Sequence, residues 1–210
     1  KYDIAHFEFV MRGVQDAITR FPDKKDDISL SLHCETAEIM AAYTKMVQEE
    51  NKLSGLRAYS ASRPPHSEGL AIFIASYLAN ETELPNINLL HLTSKKAVDA
   101  AMQMQTVFPH INFRREVTIG HLILDVDAET GNLAKVNPPI RPREDVEYLW
   151  ESVLNGDISV IRAIKPATPE PVQIHTGYIF HGTKKICWHR SLKHPTSSVL
   201  PECVIKRLPS

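Results

Sequence analysis

The sequence lacks a strong charge of either sign, a long apolar run and a set of pairable cysteines. Its 24 basic and 25 acidic residues leave a net charge of −1, which offers no basic surface for nucleic acid. No apolar run reaches the roughly 18 residues of a membrane span, so we expect neither nucleic acid nor a membrane as a partner. The three cysteines, Cys34, Cys187 and Cys203, are too scattered for a disulfide framework, which favours a reducing, cytoplasmic location.

Helical and strand patterns alternate over the first 162 residues. The sequence predicts helices over 3–21, 36–50, 67–79, 94–108 and 143–156, and strands over 28–33, 87–94, part of 111–125 and 157–164. The segment 53–69, rich in Ser, Gly and Pro, predicts a loop. Strands that alternate with helices and have mostly apolar interiors indicate an α/β fold with a parallel sheet covered on both faces.

The character of the sequence changes near residue 162. From Lys165 onward the chain contains six prolines and four histidines and shows no clear period. We therefore expect a domain over residues 1–162, followed by an irregular tail over 163–210.

Two of the predicted strands end in histidine. His33 closes the strand in "SLSLHCETAEIM" (29–40), and His91 closes the strand in "INLLHLTS" (87–94). Either histidine alone is more readily explained as a structural or surface residue. Because the carboxyl ends of parallel strands meet at one edge, the two together predict a shared cleft. Neutral imidazole is a common zinc ligand, so the pair is a candidate metal site.

Five segments resemble, in this order, motifs of the cyclic amidohydrolases, the family of dihydroorotases, hydantoinases and allantoinases. They are "LHCETAEI" (32–39), "SRPPHSEGLAI" (62–72), "LLHLTSKKAVDA" (89–100), "REVTIGHLILD" (115–125) and "KVNPPIRPREDVEYLWESVLNGDIS" (135–159). The resemblance implies a (β/α)8 barrel of the TIM type, of which this chain would hold about strands 5 to 8 with their helices.

The same resemblance implies a function. It indicates a hydrolase that opens a small cyclic amide or imide with the help of one or two metal ions, usually zinc. The "NPP" of residues 137–139 is more similar to dihydroorotases, enzymes of pyrimidine metabolism, than to hydantoinases.

The resemblance also implies roles for individual residues. His33 and His91 match metal ligands at the ends of the fifth and sixth strands. Lys1 lies near the position of a carboxylated lysine that bridges the metals, although an ordinary charged terminus explains it as well. Asn137 matches a residue that contacts the substrate ring. Glu35 is interpreted either as a hydrogen-bond partner of a ligand or as a solvated carboxylate near a helix start.

Three further residues receive structural interpretations. Arg63, in a loop near the rim of the site, is expected to order that loop through a carboxylate. His121 is expected to pack beneath the site without touching metal. Cys34, next to His33, is interpreted as a small buried residue.

Two parts of the family pattern are absent from the sequence. No His-x-His pair occurs, and no Asp follows "NGDISVI" (155–161), where the family has its catalytic base. Without that base nothing takes the proton of the attacking hydroxide, so the catalytic residue is unassigned. Because the chain also begins with Lys1 and not Met, we expect an incomplete chain of a larger enzyme. The alternative is a non-catalytic, dihydropyrimidinase-like assembly protein, and either protein is compatible with a homo-oligomer.

Overall fold

The structure, a computed structural model, describes residues 3–162 with their side chains and the backbone of residues 177–181 and 185–188. The helices are α1 (Ile4–Arg20), α2 (Ala37–Glu50), α3 (Gly55–Ala61), α4 (Pro65–Glu81), α5 (Lys95–Val107), α6 (Ile119–Ile123) and α7 (Arg143–Asn155). Two short 3-10 helices span Pro22–Lys24 and Gly131–Ala134. The strands are β1 (Leu30–Leu32), β2 (Asn86–Leu89), β3 (Asn112–Thr118), β4 (Val160–Arg162), β5 (Gly177–His181) and β6 (Lys185–Trp188).

The described strands form one sheet in chain order. Strands β1 to β4 are parallel neighbours, and Ile87 of β2 lies opposite Leu30 of β1 and Phe113 of β3. Each parallel connection passes through at least one helix, as a crossover between parallel strands requires. The predicted α/β class and its parallel sheet are therefore confirmed.

The segment after residue 162 is less irregular than expected. Strand β5 pairs antiparallel with β4, with Ile179 opposite Val160, and β6 pairs antiparallel with β5. The prediction of an irregular tail is therefore wrong at these two strands. Tyr178, Ile179 and Phe180 favour extended backbone, but the surrounding prolines and histidines conceal that signal in the sequence. The domain boundary at residue 162 stays a prediction.

The predicted loop over 53–69 is also wrong in part, since it contains α3 and the first turns of α4. Pro65 begins α4, where a missing backbone N–H removes no intrahelical hydrogen bond. Leu56 of α3 is buried against a small second core formed with Val126 and Ile140. Tertiary burial thus supports α3, which at seven residues is too short for a helical period of apolar residues to be recognised in the sequence.

The two faces of the parallel sheet differ in polarity. On one face, the main core packs the sheet against the helices and includes Met11, Ile72, Ile87 and Phe113. On the other face, Asn88 donates hydrogen bonds to the hydroxyls of Ser29 and Ser31, at 3.0 and 2.9 Å. Because strand side chains alternate, His33 continues the polar row of Ser29 and Ser31. No helix in the described part of the chain is long and apolar enough to cross a membrane.

Candidate active site

The backbone after β1 places His33 at the carboxyl edge of the sheet. The strand ends at Leu32, and α2 begins at Ala37, four residues after His33, with Thr36 at the N-cap position. Thr36 directs both its backbone N–H and its hydroxyl to the carbonyl oxygen of Ser67, at 3.2 and 3.0 Å. Thr36 occupies the N-cap position of α2, but its side chain holds the start of α4 instead of bonding its own helix.

The backbone after β2 brings His91 to the same edge. Leu90 donates to the carbonyl of Leu32, and Leu92 donates to the carbonyl of Glu116, at 3.1 and 2.7 Å. His91, between them, has a positive φ of 39°, which is uncommon for a residue with a side chain and often occurs at functional sites. The neighbouring strands thus fix this turn from both sides.

The two histidines contact each other directly. His33 Nδ1 lies 3.0 Å from His91 Nε2, and the rings meet edge to face with centroids 4.7 Å apart. On its other side, His33 Nε2 lies 2.9 Å from Glu35 Oε2. Since a carboxylate only accepts, the hydrogen of neutral His33 is on Nε2, and the lone pair on Nδ1 faces His91. The structure brings together these predicted site residues, while their roles as ligands stay predictions.

Glu35 and His91 each present a buried polar atom to this cluster. The side chain of Glu35 is fully buried, so it is not the solvated carboxylate of the alternative interpretation. Its Oε1, like His91 Nδ1, has no hydrogen-bond partner among the described residues. Burial, and next the neighbouring His33, lower the pKa of His91 to about 4, which leaves the ring neutral at pH 7.

Asn137 lies beside His33, and the peptide bond that joins Asn137 to Pro138 is cis. Its Oδ1 accepts from Arg63 Nε at 3.2 Å and from the Tyr59 hydroxyl at 3.4 Å, which fixes the orientation of the amide. Its Nδ2 lies 3.5 Å from His33 Nε2. Because that nitrogen already carries a hydrogen for Glu35, it cannot also accept, and the Asn137 amide keeps a donor for a ligand.

His121 lies beneath this segment, as predicted. It is buried, accepts from the Thr118 hydroxyl at Nδ1 (2.7 Å) and donates from Nε2 to the carbonyl of Pro138 (3.0 Å). Burial lowers the pKa of His121 to about 4, and the nearby Arg141 adds to this effect. A neutral His121 therefore uses both ring nitrogens to hold Thr118 and the backbone next to Asn137.

Arg63 has different partners from those expected. The predicted carboxylate is replaced by Asn137, by the hydroxyl of Ser62 at 2.9 Å and by the ring of Tyr59, 4.0 Å from the guanidinium carbon. The carboxylate pair of this region is formed by Arg57 and Asp127, at 2.6 Å. The expected carboxylate of Arg63 is therefore not observed, and the nearby Asp127 pairs with Arg57 of α3.

Sequence reasoning missed a buried ion pair behind the site. Arg141 Nη2 lies 3.1 Å from Glu68 Oε2, and both side chains are almost completely buried. Thr93 donates its hydroxyl to the same oxygen at 2.6 Å, and Arg141 Nε donates to Thr93 at 2.9 Å. Arg141 also donates to the carbonyl of Arg63. A charged residue inside the apolar run "SEGLAIFI" (67–74) was the available signal.

His33 and His91 are the described residues that the metal-site prediction depends on. In residues 3–162 no three His, Cys, Asp or Glu side chains are grouped to hold an ion, and Lys1 lies outside the described residues. The facing nitrogens of His33 and His91, 3.0 Å apart, nevertheless fit one shared ion. Two nitrogens bound to tetrahedral zinc at about 2.0–2.1 Å would lie about 3.3 Å from each other. The hydrogen bond from His33 to Glu35 is the usual support of a histidine ligand.

The curated proteins similar in sequence to this chain include allantoinases. No family model matches the chain. An allantoinase from Solibacter usitatus (strain Ellin6076) is 29% identical over 153 residues, which are 71% of this chain and 32% of the relative. An allantoinase from Salmonella gallinarum (strain 287/91 / NCTC 13346) is 28% identical over 155 residues, 73% of this chain and 33% of the relative. The chain thus spans about a third of the length of these curated relatives.

Solved structures of hydantoinases share the fold. The L-hydantoinase (dihydropyrimidinase) from Arthrobacter aurescens superimposes with a TM-score of 0.65 at 24% identity, covering 77% of this chain and 34% of that one. The D-hydantoinase (dihydropyrimidinase) from Thermus sp. gives a TM-score of 0.61 at 23% identity, with coverages of 77% and 34%. The parallel sheet and its helices are therefore similar to the TIM-barrel fold of the hydantoinases. The assignment to strands 5 to 8 of such a barrel stays an interpretation.

Proposed function

We propose that this chain belongs to the cyclic amidohydrolases and carries part of an active site that hydrolyses a C–N bond of a small cyclic amide or imide, as a dihydroorotase does; the similarity to allantoinases and to the hydantoinase fold supports this. The observation that carries this proposal is the contact between His33 Nδ1 and His91 Nε2 at 3.0 Å. Each nitrogen comes from the carboxyl end of a different parallel strand, where α/β barrels hold their catalytic groups.

In this proposal His33 and His91 hold zinc, and Lys1, if carboxylated, is a further ligand implied by the family resemblance. When bound, zinc supplies hydroxide near neutral pH and polarises the ring carbonyl. Glu35 keeps the hydrogen of His33 on Nε2 and thereby leaves the Nδ1 lone pair for the ion. The low pKa of His91 keeps this ring neutral as well, which is the form that binds metal.

Asn137 provides the proposed contact with the substrate. Arg63 and Tyr59 hold its side-chain oxygen, so the amide N–H groups face the space beside His33. These N–H groups suit a carbonyl oxygen of a cyclic amide or imide. The catalytic base stays unassigned, since no Asp occurs in the sequence where the family has it.

A second candidate function is a non-catalytic assembly protein related to dihydropyrimidinases. It is favoured by the sequence after "NGDISVI" (155–161), where no Asp stands at the position of the family's catalytic base. The arrangement of Glu35, His33 and His91 argues against it, because assembly does not require two histidines with facing nitrogens. The cytoplasmic location and a homo-oligomeric state also stay predictions.

Metal content tests the proposed function. The full chain is loaded with zinc, freed of unbound ion, and its zinc content is measured by mass spectrometry for the wild type, His33→Ala and His91→Ala. We expect each substitution to remove about one ion per chain, and Glu35→Gln to weaken zinc binding about 10- to 100-fold.

His110→Ala is the matched control, since His110 is exposed and distant in sequence from the cluster. It should leave the zinc content unchanged. A wild-type chain without zinc, or an unchanged zinc content in both His33→Ala and His91→Ala, would contradict the proposal.

A further inference from the structure

We propose that Glu116 is a positioning residue for His91: its carboxylate, held in place by Arg162, fixes the backbone turn that directs the His91 ring towards His33. The inference rests on the proposed function and deepens it, because it names the residue that orients one of the two proposed zinc ligands. Glu116 lies in β3, whereas His91 follows β2, so the proposed support comes from the neighbouring strand.

The backbone of His91 needs support from outside its own segment. Its φ of 39° lies in the left-handed region, where the Cβ of any residue other than glycine crowds the backbone. Such a conformation persists only where the surrounding structure holds it. A relaxation of φ would rotate the Cα–Cβ bond and carry Nε2 away from His33 Nδ1, from which it now lies 3.0 Å. The geometry of the histidine pair therefore depends on the contacts that fix residue 91.

Glu116 reaches this turn with both its main chain and its side chain. Its carbonyl oxygen accepts a hydrogen bond from the backbone N–H of Leu92 at 2.7 Å. Burial raises the pKa of its carboxyl group, and Arg162 and a hydrogen bond from the backbone N–H of His91 oppose this rise. Two consecutive residues of the turn, His91 and Leu92, are thus bonded to one residue of β3.

The side chain of Glu116 points to the polar face of the sheet, whose carboxyl edge carries the site. Phe113 and Val117 of the same strand belong to the main core, and strand side chains alternate, so Glu116 faces away from that core. Its side chain is nevertheless only 6% exposed. A buried carboxylate is costly unless its partners stabilise the charge, and both partners of this one lie at the edge of the site. The role of Glu116 therefore belongs to the site and not to the packing of the core.

Arg162 holds this carboxylate in one orientation. Its Nε lies 3.0 Å from Glu116 Oε2, and its own side chain is half exposed. Arg162 belongs to β4, where it lies opposite Thr118 of β3. A charge-assisted hydrogen bond from the guanidinium fixes one carboxylate oxygen, so the group stays directed at the turn and accepts from the His91 N–H. The support of His91 therefore extends over strands β3 and β4.

The test compares Glu116→Gln with Glu116→Met in the full chain. Both variants remove the charge and the ion pair with Arg162, and both side chains have nearly the same length, but only glutamine keeps an oxygen that accepts from the His91 N–H. The dissociation constant of zinc is measured by competition with a chromogenic chelator. We expect Glu116→Met to bind zinc at least about tenfold more weakly than Glu116→Gln, as when a metal ligand loses its support.

Amide hydrogen exchange in the zinc-free chain, followed by NMR, gives a readout that general destabilisation would not reproduce. The amide of His91 should exchange severalfold faster in Glu116→Met than in Glu116→Gln, because it loses its acceptor. The amide of Ile87, inside β2, should exchange at the same rate in both variants. If Glu116→Met does not fold, Arg162→Gln replaces it: faster exchange at His91 than in the wild type is expected, and an unchanged rate would overturn the proposal.

Glu147→Met is the matched control, because it removes an exposed carboxylate that pairs with Arg143 on α7 at 3.1 Å. It should leave the zinc affinity and the exchange rate of the His91 amide unchanged. Equal zinc affinity in Glu116→Gln and Glu116→Met, or equal acceleration of exchange at Ile87 and His91, would overturn the positioning role and leave the proposed function standing. A wild-type chain that binds no zinc would instead count against the proposed function, and the role of Glu116 would fall with it.

Discussion

His91 and His121 have similarly lowered pKa values but differ in the hydrogen bonds of their ring nitrogens. Burial lowers the pKa of each to about 4. His121 uses both ring nitrogens, one towards Thr118 and one towards the carbonyl of Pro138. His91 leaves Nδ1 without a partner among the described residues. A fully bonded neutral ring suits a structural role, whereas an unpartnered nitrogen beside His33 suits a site that another group completes.

The free energy of unfolding should fall in acid because of His121. In the unfolded chain its pKa is about 6.5, so between about pH 6.5 and 4 the unfolded state binds a proton that the folded state does not. Stability is therefore present above this window and is lost as the pH falls through it, by roughly 2–3 kcal/mol from this residue alone. Urea unfolding of wild type and His121→Gln at about pH 7.5 and about pH 4.5 should show a weaker pH dependence in the variant.

His91 acts in the same direction, so His121→Gln should keep part of the acid sensitivity. The control is His110→Gln, at an exposed histidine, which should lose stability in acid as the wild type does. An identical pH dependence in wild type and His121→Gln would contradict a neutral, buried role for His121.

The sequence predicted some residues of the site and missed others for a physical reason. His33, His91 and Asn137 follow strand ends or belong to motifs, so local sequence was enough to identify them. Glu68 and Arg141 are 73 residues apart, and nothing near either residue shows that their charges meet in the core.

At the scale of elements, Arg141 joins segments that the sheet does not connect. It contacts Glu68 in α4, Thr93 before α5, and the carbonyls of Ser60 and Arg63 at the end of α3. These are the same segments that carry or border His91 and Asn137. The buried ion pair therefore fixes the loops of the candidate site relative to one another.

Breaking this ion pair should be costly. Arg141→Met leaves the carboxylate of Glu68 buried without its cation, and such losses cost about 3–5 kcal/mol. Thermal and urea unfolding, followed by circular dichroism, measure the change. Replacing both partners, in Arg141→Met combined with Glu68→Met, should recover part of the loss because no unpaired charge remains.

Arg143→Gln provides the comparison on the protein surface. Arg143 pairs with Glu147 one turn further along α7, at 3.1 Å, and both side chains are exposed. Its loss should change stability by less than about 1 kcal/mol. If Arg141→Met were as mild as Arg143→Gln, the ion pair would not hold the site loops together.

The elements themselves were predictable to different degrees. Long amphipathic helices such as α1 and α5 have enough turns for a period to appear, and the predicted spans 3–21 and 94–108 match Ile4–Arg20 and Lys95–Val107 closely. The seven-residue α3 has no such signal, and the burial of Leu56 decides its conformation. The strands β5 and β6 were missed because prolines nearby dominate the composition.

For the molecule as a whole, one face of the sheet forms the hydrophobic core and the other face carries polar side chains. The helix-covered face is apolar and contains the main core, to which α1, α4, α5 and α7 all contribute buried side chains. The opposite face carries polar side chains such as Ser31, Asn88 and Arg114, and its carboxyl edge presents His33. Stability therefore depends on one face, and the proposed chemistry depends on the edge of the other.

Phe113 tests this division, because it lies in β3 at the centre of the parallel sheet and points into the main core, where it is 1% exposed. Phe113→Ala should lower the free energy of unfolding by about 3–5 kcal/mol, since it removes buried apolar surface and leaves a cavity. Phe9→Ala makes the same change at a phenylalanine of α1 that is 68% exposed, and its free energy of unfolding should stay within about 0.5 kcal/mol of wild type.

Because one core connects the helices and the sheet, circular dichroism and tryptophan fluorescence should report the same urea midpoint for Phe113→Ala. Separate midpoints for the two probes, or equal losses in both variants, would show that the helices and the sheet do not share a single core.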